Sequence, residues 1–203
     1  MVPYHNSIGL IIISPDGSIC QRLGDGPVLG SILNEPYFIG TSTVIYDNNV
    51  WRNWYAACTG WEVIDGKYEP RYHLKYAESD DGINWFRSGK VSIDYKDDKE
   101  GGLVRATVLV KDDTYHMWYS RRNVKGYRTN PEDSYRIGYA RSSDGLVWDR
   151  LDDLVGIDIS ISGFDSEMIA YPCVISSMDN MFTFYNGNFF GKTGIGVAVR
   201  SKL

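Results

Sequence analysis

The segment DSEMIAYPCVISSMDNMFTFYNGN, residues 165–188, decides the fold. Acidic residues precede an apolar run, a polar turn follows at 178–180, and a second run ends in aromatic and amide side chains. Short runs rich in β-branched and aromatic residues, separated by Asp and Asn, are typical of a β-hairpin. The segment therefore predicts two antiparallel strands, with a carboxylate at the start of the first.

The same plan occurs twice earlier in the chain. It is found in residues 35–56, EPYFIGTSTVIYDNNVWRNWYA, and in residues 100–120, EGGLVRATVLVKDDTYHMWYS. Tyr55, Tyr119 and Tyr185, near the end of each copy, lie 64 and 66 residues apart. An Asp-Gly turn followed by Trp occurs at 79–85 and again at 142–148, and a copy without the Trp stands at 14–17. Self-similarity at a fixed period, with strands in each unit, predicts a repeat architecture such as a β-propeller.

The fold class that this repeat predicts is all-β, with four-stranded antiparallel blades. No segment repeats apolar residues at helical spacing over three turns, so we expect almost no helix. Residues 1–203 are expected to form a single propeller domain, with a half blade at 8–30, blades at 35–98 and 100–163, and a partial blade at 167–203. Because the ring is incomplete in this chain, open blade edges predict a homo-oligomer or a partner chain that covers them.

Composition excludes several classes of function. The net charge of −5 argues against a nucleic-acid partner, which usually meets a basic surface, and Arg121, Arg122 and residues 125–128 are expected to form a solvated loop. No apolar run is long enough for a membrane span or a signal sequence. The three cysteines and three histidines lack metal-ligand spacing, so we expect reduced thiols, no metal, no cofactor and a cytoplasmic location.

The repeated turns, the strand around Met117–Ser120 and the residues Asp165–Met168 and Tyr185–Asn188 resemble the five-bladed β-propeller glycosidases, the superfamily of glycoside hydrolase families 32, 43, 62, 68 and 130. The resemblance covers residues 7–200 and corresponds to the C-terminal two thirds of such a propeller. It implies a carbohydrate partner and the cleavage or transfer of a glycosidic bond by carboxylates in the axial pocket.

The same resemblance suggests which residues form the site. It places Glu167 where the general acid of the family lies, and Asp165 and Glu100 are further catalytic candidates. The candidates for substrate binding are Arg105, Glu35, Trp61, Tyr171, Asn186 and Asn188. Each has a structural alternative, such as bonding a backbone N–H, stabilising a turn or covering a blade.

Two departures from the family pattern bear on activity. The stabilising Arg-Asp-Pro motif of family 32 aligns with residues 105–107, Arg-Ala-Thr, so its Asp is absent. The first catalytic Asp of the family lies on a blade that this chain lacks. The sequence therefore predicts a glycosidase-like protein, with a non-catalytic carbohydrate-binding or scaffold propeller, or a chain completed by a partner, as the alternatives.

Overall fold

The computed structural model describes residues 3–178 and 180–201, and its regular secondary structure is almost entirely β-strand. The strands are β1 (Ile11–Ile13), β2 (Cys20–Arg22), β3 (Ile39–Asp47), β4 (Val50–Ile64), β5 (Lys67–Ser79), β6 (Val91–Ile93), β7 (Glu100–Lys111), β8 (Thr114–Asn123), β9 (Arg136–Ser142), β10 (Asp149–Arg150), β11 (Ala170–Ser177), β12 (Asn180–Asn186) and β13 (Ile195–Ser201). Two single 3-10 turns, at Pro131–Asp133 and Asp152–Leu154, are the helical elements of the described residues, and a tight turn with left-handed backbone angles, Asn188–Gly191, follows β12.

The strands form antiparallel blades in the order of the sequence. Strands β3, β4 and β5 pair in succession and β6 pairs with β5, while β7 to β10 pair in succession in the next blade. Strands β11 to β13 form a third sheet, and β1 pairs with β2 alone. The fourth strand of the first full blade is the short β6 at Val91–Ile93. The two complete units thus have the predicted four antiparallel strands.

Hydrogen bonds between blades repeat with the period of the sequence. The Thr43 hydroxyl in β3 donates to the carbonyl of Ala106 in β7, and the Thr107 hydroxyl in β7 donates to the carbonyl of Pro172 in β11 at 2.7 Å. These bonds hold the first strand of each unit beside the first strand of the next, so β3, β7 and β11 are the inner strands of radially arranged blades. Such an arrangement is that of a β-propeller.

The Asp-Gly turns are built alike in successive blades. In the first, the carboxylate of Asp81 accepts the backbone N–H groups of Ile83 and Asn84 at 2.8 and 2.7 Å. In the second, Asp144 accepts those of Leu146 and Val147 at 2.7 and 2.9 Å. The hydrogen bond from the N–H of Val147, with those from neighbouring groups, lowers the pKa of Asp144 below its usual value. Burial has a smaller, opposite effect on this pKa. The glycine of each turn has a φ of 74°, which accounts for the repeated Asp-Gly pair.

Apolar side chains fill the spaces between blades. Trp54, Leu74, Met117 and Tyr119 are fully buried in one cluster between the first two full blades. A second cluster joins the second blade to the third sheet, and it contains Trp118, Ile137, Ile169, Val174 and Tyr185. Burial of these apolar faces is the main driving force for folding. It also holds each blade against its neighbour.

The third sheet leaves one apolar face uncovered. Cys173, Phe184 and Val197 are aligned across its three strands, and Ile175, Phe182 and Val199 form the next row. Of these, Ile175, Val197 and Val199 are 46%, 48% and 54% exposed. This is the feature expected of an unpartnered blade, and its coverage by a second copy or another chain stays a prediction.

Gly138 in β9 lies where the chain is closely packed against Tyr119 and Asp152. A Cβ atom on Gly138 would lie 2.6 Å from a ring carbon of Tyr119 and 2.6 Å from a carboxylate oxygen of Asp152. We expect Gly138→Ala to lower the free energy of unfolding by about 2 to 3 kcal/mol, because the buried ring has no room to move. Urea denaturation followed by Trp fluorescence measures this change.

The matched control is Gly40→Ala in β3, where a Cβ atom meets no other atom within 4 Å. We expect that change to alter the free energy of unfolding by less than about 0.5 kcal/mol. Equal effects of the two substitutions would contradict the packing described for β9.

Candidate functional site

A cleft opens at the end of the molecule where the inner strands begin. Its volume is about 150 Å³, and it lies between the loop that connects β8 to β9, the residues before β11 and the turn after β12. The residues that line it are Tyr127, Arg128, Thr129, Asn130, Pro131, Ser134, Glu167, Met168, Phe189 and Phe190. A concave site with aromatic walls and a few polar groups is the usual form of a small-molecule site.

Glu167 is the predicted site residue that lines this cleft. Its side chain is exposed, and within the described residues its carboxylate has no hydrogen-bond or ion-pair partner. Its backbone is held by Asn188, whose side-chain oxygen accepts the N–H groups of Glu167 and Met168 at 2.8 and 3.1 Å. Asn188 is only 4% exposed, so it positions Glu167 from beneath. The cleft therefore contains a carboxylate whose backbone is fixed and whose oxygens are free.

An aromatic wall stands beside this carboxylate. The ring of Phe190 stacks on Tyr171, with centroids 6.1 Å apart and planes at 25°, and meets the edge of Tyr135 at 5.6 Å. Phe189 and Phe190 are exposed and have φ angles of 54° and 61°, which non-glycine residues seldom adopt. Asn186 holds this turn, because its side-chain N–H donates to the carbonyl of Phe190 at 3.1 Å. Strain of this kind is concentrated at functional sites.

Each inner strand has a bulge near its start. Thr41, Arg105 and Tyr171, which are 64 and 66 residues apart, all have positive φ angles, of 34°, 54° and 56°. The strand register shifts at each of these three positions. The Arg105 N–H donates to the Thr41 hydroxyl at 3.0 Å, and the Tyr171 N–H donates to the Ser120 hydroxyl at 2.7 Å. The bulges therefore give up ladder bonds and are secured by side chains of the neighbouring strands.

The other predicted carboxylates lie in buried clamps within the blades. Glu35 is 4% exposed and accepts the Tyr55 hydroxyl at 3.0 Å, while Arg87 and Lys75 donate to it at 3.0 and 3.1 Å. Asp165, also 4% exposed, accepts the Tyr185 hydroxyl at 2.8 Å. Burial, together with Asp165, raises the pKa of Tyr185 to about 12.

Glu100 occupies the corresponding place in the second blade. It is 1% exposed, receives two bonds from Arg150 at 2.7 and 3.0 Å, and accepts the backbone N–H of Lys96. Arg150 also binds Asp152, which accepts the Tyr119 hydroxyl at 2.6 Å. Burial alone would raise the pKa of Asp152, but the bonds from Tyr119 and Arg150 outweigh it and lower that pKa. The structure does not bring Glu35, Glu100 or Asp165 to the cleft.

Trp61 is also separated from the cleft. Its ring packs edge-on against Tyr4 at 4.9 Å and against Phe38 at 5.8 Å, on the hairpin formed by β4 and β5. Its indole N–H is buried and has no partner among the described residues. Trp61 thus belongs to an aromatic cluster of the first full blade.

Arg122 corrects one expectation from the sequence. The run from Arg121 to Arg128 was expected to be a solvated loop, but Arg122 is 2% exposed. Its guanidinium lies 3.9 Å from the ring centroid of Tyr127 and donates to the Pro70 carbonyl at 2.7 Å. The sequence gives no sign of this, because the rings and carbonyl that surround Arg122 come from distant segments.

A second acidic residue beside the cleft was also missed. Glu69 is 7% exposed and accepts the Tyr127 hydroxyl at 2.7 Å, and Arg128 binds both of its oxygens. Burial opposes ionisation, but the bonds from Arg128 and Tyr127 hold the pKa of Glu69 below its usual value. Glu69 is therefore an ionised partner of the cleft wall.

The described residues lack a cluster of metal ligands and a helix that could span a membrane. In 3–178 and 180–201, no group of three or more His, Cys, Asp or Glu side chains is arranged to hold a metal ion. In the same part of the chain, no helix has the length and apolar character needed to cross a membrane.

Comparison with known proteins gives two informative sequence relatives, and no family model matches the chain. An uncharacterized protein of Mycobacterium tuberculosis strain CDC 1551 / Oshkosh is 35% identical over 198 residues, which cover 98% of this chain and 62% of the relative. A 1,2-beta-oligomannan phosphorylase of Thermoanaerobacter sp. strain X514 is 32% identical over 135 residues, covering 64% of this chain and 43% of the relative. The chain thus spans less than two thirds of the length of either protein.

Solved structures share the fold. A glycoside hydrolase matches with a TM-score of 0.73 and 20% identity over all of this chain and 59% of its own. A thermostable family-43 glycoside hydrolase matches with a TM-score of 0.65 and 14% identity over 95% of this chain and 66% of its own. Both are β-propeller enzymes, so the predicted propeller fold and the resemblance to propeller glycoside hydrolases are confirmed. The number of blades in a complete ring stays a prediction.

The buried carboxylate of Glu100 and the exposed carboxylate of Glu167 should contribute differently to the free energy of unfolding. Glu100→Gln removes a buried negative charge from Arg150, so we expect the free energy of unfolding to fall by about 2 to 3 kcal/mol. Glu167→Gln is the matched change at an exposed carboxylate without partners, and we expect it to alter stability by less than about 0.5 kcal/mol. Urea denaturation of both variants checks this, and a stable Glu100→Gln variant would show that its clamp is not structural.

Proposed function

We propose that the chain binds a carbohydrate in the entrance cleft and belongs to a protein that cleaves or transfers a glycosidic bond, with Glu167 as the proton donor. The observation that carries this proposal is the free carboxylate of Glu167 beside the exposed aromatic wall. The fold shared with propeller glycoside hydrolases supports it, although the same fold can host other activities.

The cleft provides suitable contacts for a sugar. The exposed rings of Phe189 and Phe190 offer flat apolar surfaces for the C–H faces of a pyranose or furanose ring. The hydroxyl groups of Thr129 and Ser134 also line the cleft, where they can bond sugar hydroxyl groups. Because the turn that carries the two phenylalanines is fixed by Asn186, little ordering is needed on binding.

In this proposal Glu167 acts as the general acid. Its proton would pass to the glycosidic oxygen as the bond from that oxygen to the anomeric carbon breaks. The anomeric carbon then needs a nucleophile, which in hydrolases is a second carboxylate or a water that this carboxylate activates, about 5 to 10 Å from the acid. Of the described residues that line the cleft, Glu167 alone has a carboxylate side chain. Hydrolysis would therefore need a second carboxylate from beyond the residues that line the cleft.

Transfer to phosphate is a second candidate reaction. In phosphorolysis, a phosphate oxygen forms the bond to the anomeric carbon while the acid protonates the leaving oxygen, so one protein carboxylate is sufficient. The single cleft carboxylate favours this reaction, as does the relative that is named a 1,2-beta-oligomannan phosphorylase.

The test is to incubate the purified chain with a panel of oligosaccharides that includes β-1,2-linked mannosides, with and without inorganic phosphate. Chromatography of the products distinguishes free sugar from sugar phosphate. We expect Glu167→Gln to lower the rate of product formation by about 10² to 10⁴, because that side chain has no carboxyl proton to donate. Binding of the oligosaccharide should change by less than about threefold, since that substitution preserves size and polarity.

The control is Glu132→Gln, which changes an exposed carboxylate in the loop between β8 and β9 that does not line the cleft. It should leave the rate unchanged. A Glu167→Gln variant as active as the wild type would remove Glu167 from the mechanism. Sugar binding without any product from the wild type would identify a carbohydrate-binding module instead.

A further inference from the structure

Arg105 has a charge that no protein group neutralises. Its side chain is half-buried, yet within the described residues its guanidinium makes no hydrogen bond and no ion pair. Every other arginine that is not exposed has a protein acceptor. These partners are Asp144 for Arg52, Glu62 for Arg71, Glu35 for Arg87, Asp152 for Arg121, Pro70 for Arg122, Asp158 for Arg136 and Glu100 for Arg150. A partly desolvated guanidinium with free donors is costly unless something binds it.

The backbone holds Arg105 in place despite its conformational cost. Its φ of 54° lies in the left-handed region, and its N–H is bonded to the Thr41 hydroxyl rather than to a strand partner. Tyr171 occupies the equivalent bulge in the next blade, and its ring stacks on Phe190 in the cleft wall. Arg105 therefore occupies the same level of the inner strands as the wall of the proposed sugar site.

A second guanidinium adds to the positive charge at this end. Arg122 has only neutral acceptors: the carbonyls of Pro70 and Asn123 and the hydroxyl of Tyr72. The neighbouring Arg128 is neutralised by Glu69, and no carboxylate of the described residues lies within ion-pair distance of Arg105 or Arg122. In a chain with a net charge of −5, the entrance side thus has two arginines without a carboxylate partner.

We infer that the glycan carries an acidic substituent, a carboxylate or a phosphate, and that Arg105 binds it. This inference rests on the proposed carbohydrate site and adds its substrate class. The planar guanidinium offers parallel N–H groups that match two oxygens of either anion, and such charge-assisted pairs are stronger than bonds to neutral hydroxyl groups. Neutral sugars would leave the Arg105 charge without a counter-charge among the described residues.

The experiment compares matched sugars on the full chain. Glucose, galactose and mannose are each paired with the corresponding uronic acid and 6-phosphate, and inorganic phosphate is titrated alone. Binding is measured by isothermal titration calorimetry at two ionic strengths. We expect one acidic series to bind at least about tenfold more tightly than its neutral counterpart, with the preference decreasing in salt.

Variants assign this preference to Arg105. Arg105→Gln should remove it while leaving neutral-sugar binding within about threefold, and Arg105→Lys should retain part of it, because an ammonium keeps the charge without the planar geometry. Arg141→Gln, which removes the charge of an exposed arginine in β9, is the matched control and should leave the preference unchanged. Circular dichroism establishes that each variant is folded.

The outcomes separate this inference from the function on which it rests. Equal binding of neutral and acidic sugars by the wild type would overturn the acidic substituent and leave the carbohydrate site standing. Binding of no sugar at all would overturn the proposed function, and with it this inference. Binding of inorganic phosphate through Arg105, without a preference among the sugars, would replace the acidic glycan by a site for free phosphate.

Discussion

The bulge at the start of each inner strand is the constraint on which the entrance side depends. Thr41, Arg105 and Tyr171 each adopt a left-handed backbone where the ladder to the next strand is interrupted. At Arg105 and Tyr171 the backbone N–H donates instead to a hydroxyl group of a neighbouring strand, so these bulges also join elements that are distant in sequence. Because this geometry recurs with the repeat, three different side chains are presented at one level. The bulges thus set the backbone geometry at this level, and the threonine, arginine and tyrosine side chains determine which chemical groups are presented there.

Much of the fold could be predicted because a repeat multiplies weak signals. One apolar run beside a polar turn is ambiguous, but three copies at 64 and 66 residues leave few alternatives. The same spacing correctly made Tyr55, Tyr119 and Tyr185 equivalent, and each hydroxyl donates to a carboxylate, which is buried for Glu35 and Asp165 and half-buried for Asp152. The Asp-Gly turns were also predictable, since the bonds that the aspartate side chain accepts in each turn come from residues within three positions of it. Local hydrogen bonding and a fixed repeat period were thus sufficient to predict the architecture.

The site was harder to predict because it depends on contacts between distant segments. Glu35, Glu100 and Glu167 occupy similar positions in the sequence, but the first two lie in buried clamps and only Glu167 opens to the cleft. What separates them is the presence of Arg87 and Arg150, more than 45 residues further along the chain. The exposed turn of Phe189 and Phe190 was missed for a different reason, because positive φ angles at two phenylalanines run against their intrinsic preference. Sequence similarity between blades indicates position and does not distinguish a clamp from a catalytic group.

The most direct test of the entrance site is to locate the bound sugar without altering the protein. Two-dimensional ¹H–¹⁵N correlation spectra of the labelled chain, recorded during titration with glucose and with glucuronic acid, report which backbone amides respond. The account predicts that the amides of Arg105, Glu167 and Phe190 shift together as either sugar is added, and further with the acid. Shifts confined to the Asp-Gly turns at Ser79–Trp85 and Ser142–Trp148, or spectra that do not change, would contradict it.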